Sequence, residues 1–252
     1  MAMRATTVRF SDELWKLLER ESAREGVSAA QFIRDATIMR AAYAMGQRGD
    51  HGFEEARGLM STPPDGEPAE HATERRQALL DAAAAVQDPQ RLDALRATGL
   101  LDSDIAPSFD RLARVAAHVL NAPVALVSLV DSDRQFFKSC LGLPEPWATR
   151  RGTPLSHSFC QHAVASREPL LVDDSREHPL LRDNPAIRDI GVIAYAGIPL
   201  IDADGHALGT LCVIDSSPRH WTSHQVQLLS DLAASVVTEI ALARAASQTR
   251  TR

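Results

Sequence analysis

Cys160 sits between two imidazoles in the run SHSFCQH, with His157 three residues before it and His162 two residues after. Sulfur and imidazole at this density suit either a soft metal or a reactive thiol. The spacing decides between them. If residues 156–166 form one short helix capped by Ser156, positions two apart point away from each other, so Cys160 and His162 do not share a face. A structural role is expected, and no metal site. The other two cysteines, Cys140 and Cys212, are too few and too scattered to build a disulfide framework or a CxxC knuckle. Cys212 lies in the apolar run LGTLCVID, where a small hydrophobe is expected. Any of the three becomes a redox centre only where its surroundings favour the thiolate. GxSxG, Walker, HExxH and kinase motifs are not found, so the chain reads as non-enzymatic.

The elements that position these residues lie in the second half of the chain. Residues 89–99 and 108–120 read as helices, the second with Phe109, Leu112, Val115, Ala116 and Val119 on one face. Val124 to Val130 is apolar at nearly every position, as a strand covered on both faces would be. Residues 135–140 return antiparallel, and 170–172 form a brief strand. Residues 192–201 and 206–215 form a hairpin across Asp202-Ala203-Asp204-Gly205. A long helix, 223–246, closes the domain. The expected architecture is α/β (α+β), an antiparallel sheet flanked by helices. The two long helices, 108–120 and 223–246, must cover one sheet face. The other is left to 156–166 and to the irregular segments 141–155 and 173–190, so a cavity is expected there. Phe137, His157, Cys160, His162 and Tyr195 are placed near it.

The 252 residues carry 27 Lys and Arg against 33 Asp and Glu, a net charge of −6. That balance is uneven: residues 1–48 are mildly basic, while 49–76 are acidic and rich in Gly and Pro. The second stretch reads as a flexible linker. The longest apolar run is about ten residues, too short for a membrane span, and the N-terminus lacks a signal-peptide core. A cytoplasmic location with no membrane partner is expected. Within residues 1–48, Thr6 to Phe10 alternates as one strand. Ser11 caps a first helix carrying Leu14, Leu17 and Leu18, and Ser28 caps a second. A lone strand has no ladder partner, so the module requires a second copy.

The words TTVRF, SDELWKLLE, EGVS and AAQFIRDA resemble the ribbon-helix-helix repressors, dimeric β-α-α modules that insert a two-stranded ribbon into the major groove. That resemblance implies base contacts from Thr7 and Arg9 and a phosphate held at Ser28. The words RLDALRATGLLD, PVALVSLVDSDRQFFKS, SFCQHAV, PLLVDD and YAGIPLIDADGHALGTLCVID resemble a GAF sensor domain. The implied organisation is a DNA-binding module at 1–48, a linker at 49–76, a GAF domain at 77–246 and a tail at 247–252. The GAF fold implies a pocket but names no ligand or cofactor. Bilin-carrying relatives place His directly after the anchoring Cys, whereas Gln161 follows Cys160 here. The cyclic-nucleotide motif is not evident, and the cysteine set of a GAF-fold methionine sulfoxide reductase does not map onto this spacing. The expected function is a homodimeric transcriptional regulator whose hold on double-stranded DNA is tuned by a small-molecule or redox signal. The alternative is a signalling adaptor, dimerised by the N-terminal module, that does not touch DNA.

Overall fold

The computed structural model describes residues 10–24, 32–33, 36–37, 40 and 69–250. The chain divides into two compact units, Met1–Ala69 and Glu70–Arg252.

In the first unit, α1 spans Asp12–Arg24. Ser11 starts it as expected, its Oγ accepting from the Leu14 N–H at 3.3 Å. Leu14, Trp15 and Leu17 stand exposed on this helix. All of the expected strand Thr6–Phe10 except Phe10, with the base-reading Thr7 and Arg9, and the phosphate-holding Ser28 lie outside the described residues.

The second unit opens with α2 (Ala69–Val86) and α3 (Pro89–Ala97). Asp88 makes the corner: its carboxylate accepts from the Gln90 N–H at 2.9 Å, and Pro89 supplies a preset φ at the first helical position. Arg91 then locks the corner to the sheet. Its buried guanidinium donates to the carbonyls of Val86, Val130 (2.8 Å) and Ala207. Burial brings its pKa down to about 10.

The sheet has six strands in the order β3-β2-β1-β6-β5-β4, every neighbouring pair antiparallel. They are β1 (Val124–Val130), β2 (Arg134–Leu141), β3 (Gly152–Pro154), β4 (Leu170–Val172), β5 (Ala194–Ile201) and β6 (Ala207–Asp215). All seven residues of β1 are buried, as its continuous apolar run required. At the β1–β6 contact Gly209 is obligatory in practice, because a Cβ there would lie 1.9 Å from the Ser128 carbonyl oxygen.

The two faces are covered differently. Ala125, Val127 and Leu129 turn towards α4 (Pro107–Val119) and α8 (Ser223–Arg250). Ala113 and Ala116 let α4 approach closely, and Leu229, Ala233, Val236 and Ile240 form the buried stripe of α8. Each large apolar side chain buried this way contributes about 1.5–3 kcal/mol. Among the described helices, residues 223–246 of α8 are long and apolar enough to cross a membrane by length and composition. Their buried stripe is spent on the sheet. Leu126, Val130, Phe137, Tyr195, Cys212 and Ile214 face the other way, under short elements: α5 (Trp147–Arg150), α6 (Cys160–Ser166) and α7 (Ala186–Asp189).

The single helix expected over 156–166 is in fact two pieces. A 3-10 turn covers Leu155–His157, the chain extends at Ser158, and α6 begins at Cys160. Ser158 is the cause. Its buried hydroxyl donates to Gln135 Oε1 at 2.6 Å and accepts from the Gln161 N–H at 3.1 Å, so it, and not Ser156, serves the start of α6.

Candidate functional site

Beneath α6 and α7 lies a cavity of about 20 Å³, room for one water-sized molecule. Phe137, His157, Cys160 and Tyr195 line it, as placed from the sequence, together with Leu126, Gln135, Phe159, Ile190 and Cys212. His162 does not line it. That side chain is buried elsewhere on α6, where burial and the neighbouring His178 bring its pKa down to about 4, leaving it neutral at physiological pH.

Tyr195 explains why so little space remains. The ring lies back along its own strand over Gly197, where a Cβ would come within 2.2 Å of the phenol oxygen. From there the hydroxyl donates to Cys160 Sγ at 3.4 Å, and the ring packs against Phe159 with centroids 5.4 Å apart. Register brings the remaining polar groups together: Leu126 pairs with Cys212 and Ser128 with Thr210 across β1 and β6. Ser128 Oγ and Thr210 Oγ1 are fully buried and have no hydrogen-bond partner of ordinary length. Both hydroxyls, with the Cys212 thiol and the Tyr195 phenol, bear on Cys160.

The electrostatic outcome is a split between two sulfurs. Hydrogen bonding from Cys212 outweighs burial and, with Thr210, Tyr195 and Ser128, holds the Cys160 thiol below its ordinary range. The same bond, then burial, pushes Cys212 well up. Burial pushes up Tyr195 as well. Cys140 lies apart and half-buried, its thiol raised by burial.

At the rim, His157 Nε2 meets Asp189 Oδ2 at 3.1 Å, and its Nδ1 meets Ser156 Oγ at 3.0 Å. The imidazole also packs on Trp147, with centroids 5.3 Å apart. These contacts tie the 155–157 turn to α7 and α5. Because the chain breaks at Ser158, His157, Cys160 and His162 do not converge on one point, and the tempting ligand trio dissolves.

The cavity expectation needs one correction. The larger concavity, about 510 Å³, lies on the opposite face among Thr98, Asp202, Leu208, Thr238, Ile240 and Arg244. It opens where α8 leaves the β5–β6 hairpin. Asp202, Asp204 and His206 bring their ligand atoms within 4.8 Å of one another there. Arg244 already supplies the cation, at 3.3 Å from Asp204 and 3.8 Å from Asp202. Asp202 also closes the hairpin turn, its Oδ1 accepting from the Asp204 and His206 N–H groups.

The pocket set expected from the sequence omits Cys212, Thr210, Ser128 and Asp189. The signal for the first three was available in part: a hydroxyl in an otherwise apolar buried strand has to face something.

A profile of the GAF domain matches residues 104–240. A cyclic di-GMP phosphodiesterase of Pseudomonas aeruginosa is 37% identical over 122 residues, 48% of this chain and 20% of that enzyme. The chain thus spans about a fifth of the length of that curated relative. Among solved structures, the GAF domain of an Acinetobacter phosphoenolpyruvate-protein phosphotransferase is 18% identical. It covers 64% of this chain and 99% of that one, with a TM-score of 0.48. Its counterpart from Coxiella burnetii is 19% identical, covering 63% and 96%, with a TM-score of 0.49. The expectation of a chain without enzymatic function is overturned by the Pseudomonas match, since the curated relative found is itself an enzyme.

Proposed function

Because the chain belongs to the GAF family through residues 104–240, we propose that it is a signalling module whose GAF domain takes a small-molecule input on the α6 face of the sheet and passes it to a partner through the flanking helices. The observation that carries this reading is the contrast between the two faces. Two long helices pack one face. The other carries a partly open, water-sized cavity lined by thiols, a phenol and an imidazole, under short segments held by a few polar contacts. Short, polar-latched covers respond to occupancy more readily than long apolar helices.

In this reading the signal leaves through the α2–α3 corner. Arg91 and Gln87 tether the α2–α3 corner to the ends of β1 and β6 and to the β1–β2 turn, so a shift of those strands is felt at α2. Thermodynamically, the input must bind or modify one arrangement of this face better than another.

The signalling reading is preferred to DNA-binding regulation because the curated relative is a cyclic di-GMP signalling enzyme. The base and phosphate contacts of Thr7, Arg9 and Ser28, and the homodimer they require, remain proposals on the ribbon-helix-helix resemblance alone. Native mass spectrometry of the full chain, taken freshly from its cells, tests the reading. A mass excess is expected that is lost on denaturation or maps to the α6 face. The bare chain mass under both conditions, from several growth conditions, would count against it.

A further inference from the structure

We propose that Cys160 and Cys212 form an oxidation site for hydrogen peroxide, with Cys160 as the attacking sulfur and Cys212 as the one that resolves it. This deepens the reading above by naming the chemical class of the input, and it rests on the α6 face being where the input acts.

Four polar groups on three strands bear on the one sulfur at the start of α6: the Tyr195 phenol, which donates to it at 3.4 Å, the Cys212 thiol, and the Ser128 and Thr210 hydroxyls. Two of the four, on Ser128 and Thr210, are fully buried with no hydrogen bond of ordinary length. Buried hydroxyls without partners are costly, and a sulfur anion in their midst is the acceptor they lack. The thiolate is the nucleophilic form of cysteine, and donors that favour it activate it. A second sulfur, Cys212, lines the same small cavity and belongs to the same buried cluster as the first.

The cavity sets the size of the oxidant. Cys160 and Cys212 both line a space of about 20 Å³. Hydrogen peroxide, with two heavy atoms, is the smallest peroxide and needs the least widening of such a space, whereas a bulky hydroperoxide or a peptide disulfide needs far more. In the first step the Cys160 thiolate attacks one peroxide oxygen. The S–O bond forms, the O–O bond breaks, and the departing hydroxide takes up a proton to leave as water. In the second step the Cys212 sulfur attacks the sulfenic sulfur. The S–S bond forms, the S–O bond breaks, and hydroxide leaves as water with the Cys212 proton. Two thiols give two electrons to one peroxide, yielding one disulfide and two waters. The product ties the first residue of α6 to the centre of β6, which joins the cover of this face to its floor.

The test uses the reduced full-length chain, hydrogen peroxide, alkylation under denaturing conditions and peptide mapping. The expected product is a Cys160–Cys212 linked peptide with Cys140 still alkylated. In Cys212→Ala, Cys160 is expected to be trapped by dimedone as the sulfenic acid. In Cys160→Ala, Cys212 should stay reduced. Thr210→Val preserves shape and removes one donor, and should slow the reaction about tenfold. Cumene hydroperoxide should react at least about tenfold more slowly than hydrogen peroxide. Oxidation of Cys140 with Cys160 and Cys212 left alkylatable would overturn the proposal, as would equal rates for the two oxidants. If native mass spectrometry finds a ligand while the pair stays reduced, only this inference fails. If the pair oxidises but hydrogen exchange in α2 and α8 is unchanged, the oxidation site stands and the signalling reading fails.

Discussion

Mild acidification should weaken the GAF domain, and His162 is the reason. Its imidazole is 7% exposed and held to about 4, against an ordinary value of 6.5. Burial is the larger cause and His178 the smaller. A group whose folded pKa is depressed contributes stability that is fully present above its unfolded pKa. As pH falls from about 6.5 towards about 4, the unfolded chain takes up a proton the folded one refuses, and that stability is lost. The full difference corresponds to about 3 kcal/mol, with about 2 kcal/mol of it gone by about pH 5. His178, also lowered by burial, adds in the same direction. The lowered carboxylates Asp102, Asp174 and Asp189 lose their contribution below 3.8, outside this window. Urea unfolding followed by circular dichroism at about pH 7.5 and about pH 5 measures the effect. His162→Leu should reduce the pH dependence by about 2 kcal/mol. The same pH dependence in both proteins would refute the argument that His162 is buried neutral.

Gly197→Ala should cost about 1–3 kcal/mol, because the new methyl collides with the Tyr195 phenol, and the urea midpoint should fall accordingly. Its Cys160 should also lose reactivity as Tyr195 is displaced, readable by alkylation rate. Arg91→Met leaves the Val86, Val130 and Ala207 carbonyls without their donor and should destabilise by about 1–3 kcal/mol. Hydrogen exchange should then accelerate first at the end of α2. Ser158→Ala removes the hydroxyl that serves α6 and should cost about 1 kcal/mol, with faster exchange at the first amides of that helix.

The layering of this domain was legible because it follows from short-range pattern. Alternation along β1 separated Ala125, Val127 and Leu129 from Leu126, Ser128 and Val130, and the long apolar stripes of α4 and α8 chose their face. The break before α6 was not legible, since Ser156 and Ser158 are equally good caps until Gln135, on another strand, supplies the acceptor. The size of the cavity was also hidden: it depends on Tyr195 folding back over Gly197, a matter of rotamer and not of pattern. His157 and Asp189, 32 residues apart, meet only through the fold, as do Arg244 and Asp204 at a separation of 40. Cys212 looked like a small hydrophobe in its strand. Only register against β1, with α6 overhead, sets it beside Cys160.

Hydrogen–deuterium exchange on the full chain, with and without the low-molecular-weight fraction of its cells, tests the central claim most directly. The account predicts altered exchange in α6 and residues 173–190, accompanied by a change in α2 or α8. Exchange that is the same throughout, or a change confined to the opposite groove at Asp202 and Arg244, would contradict it.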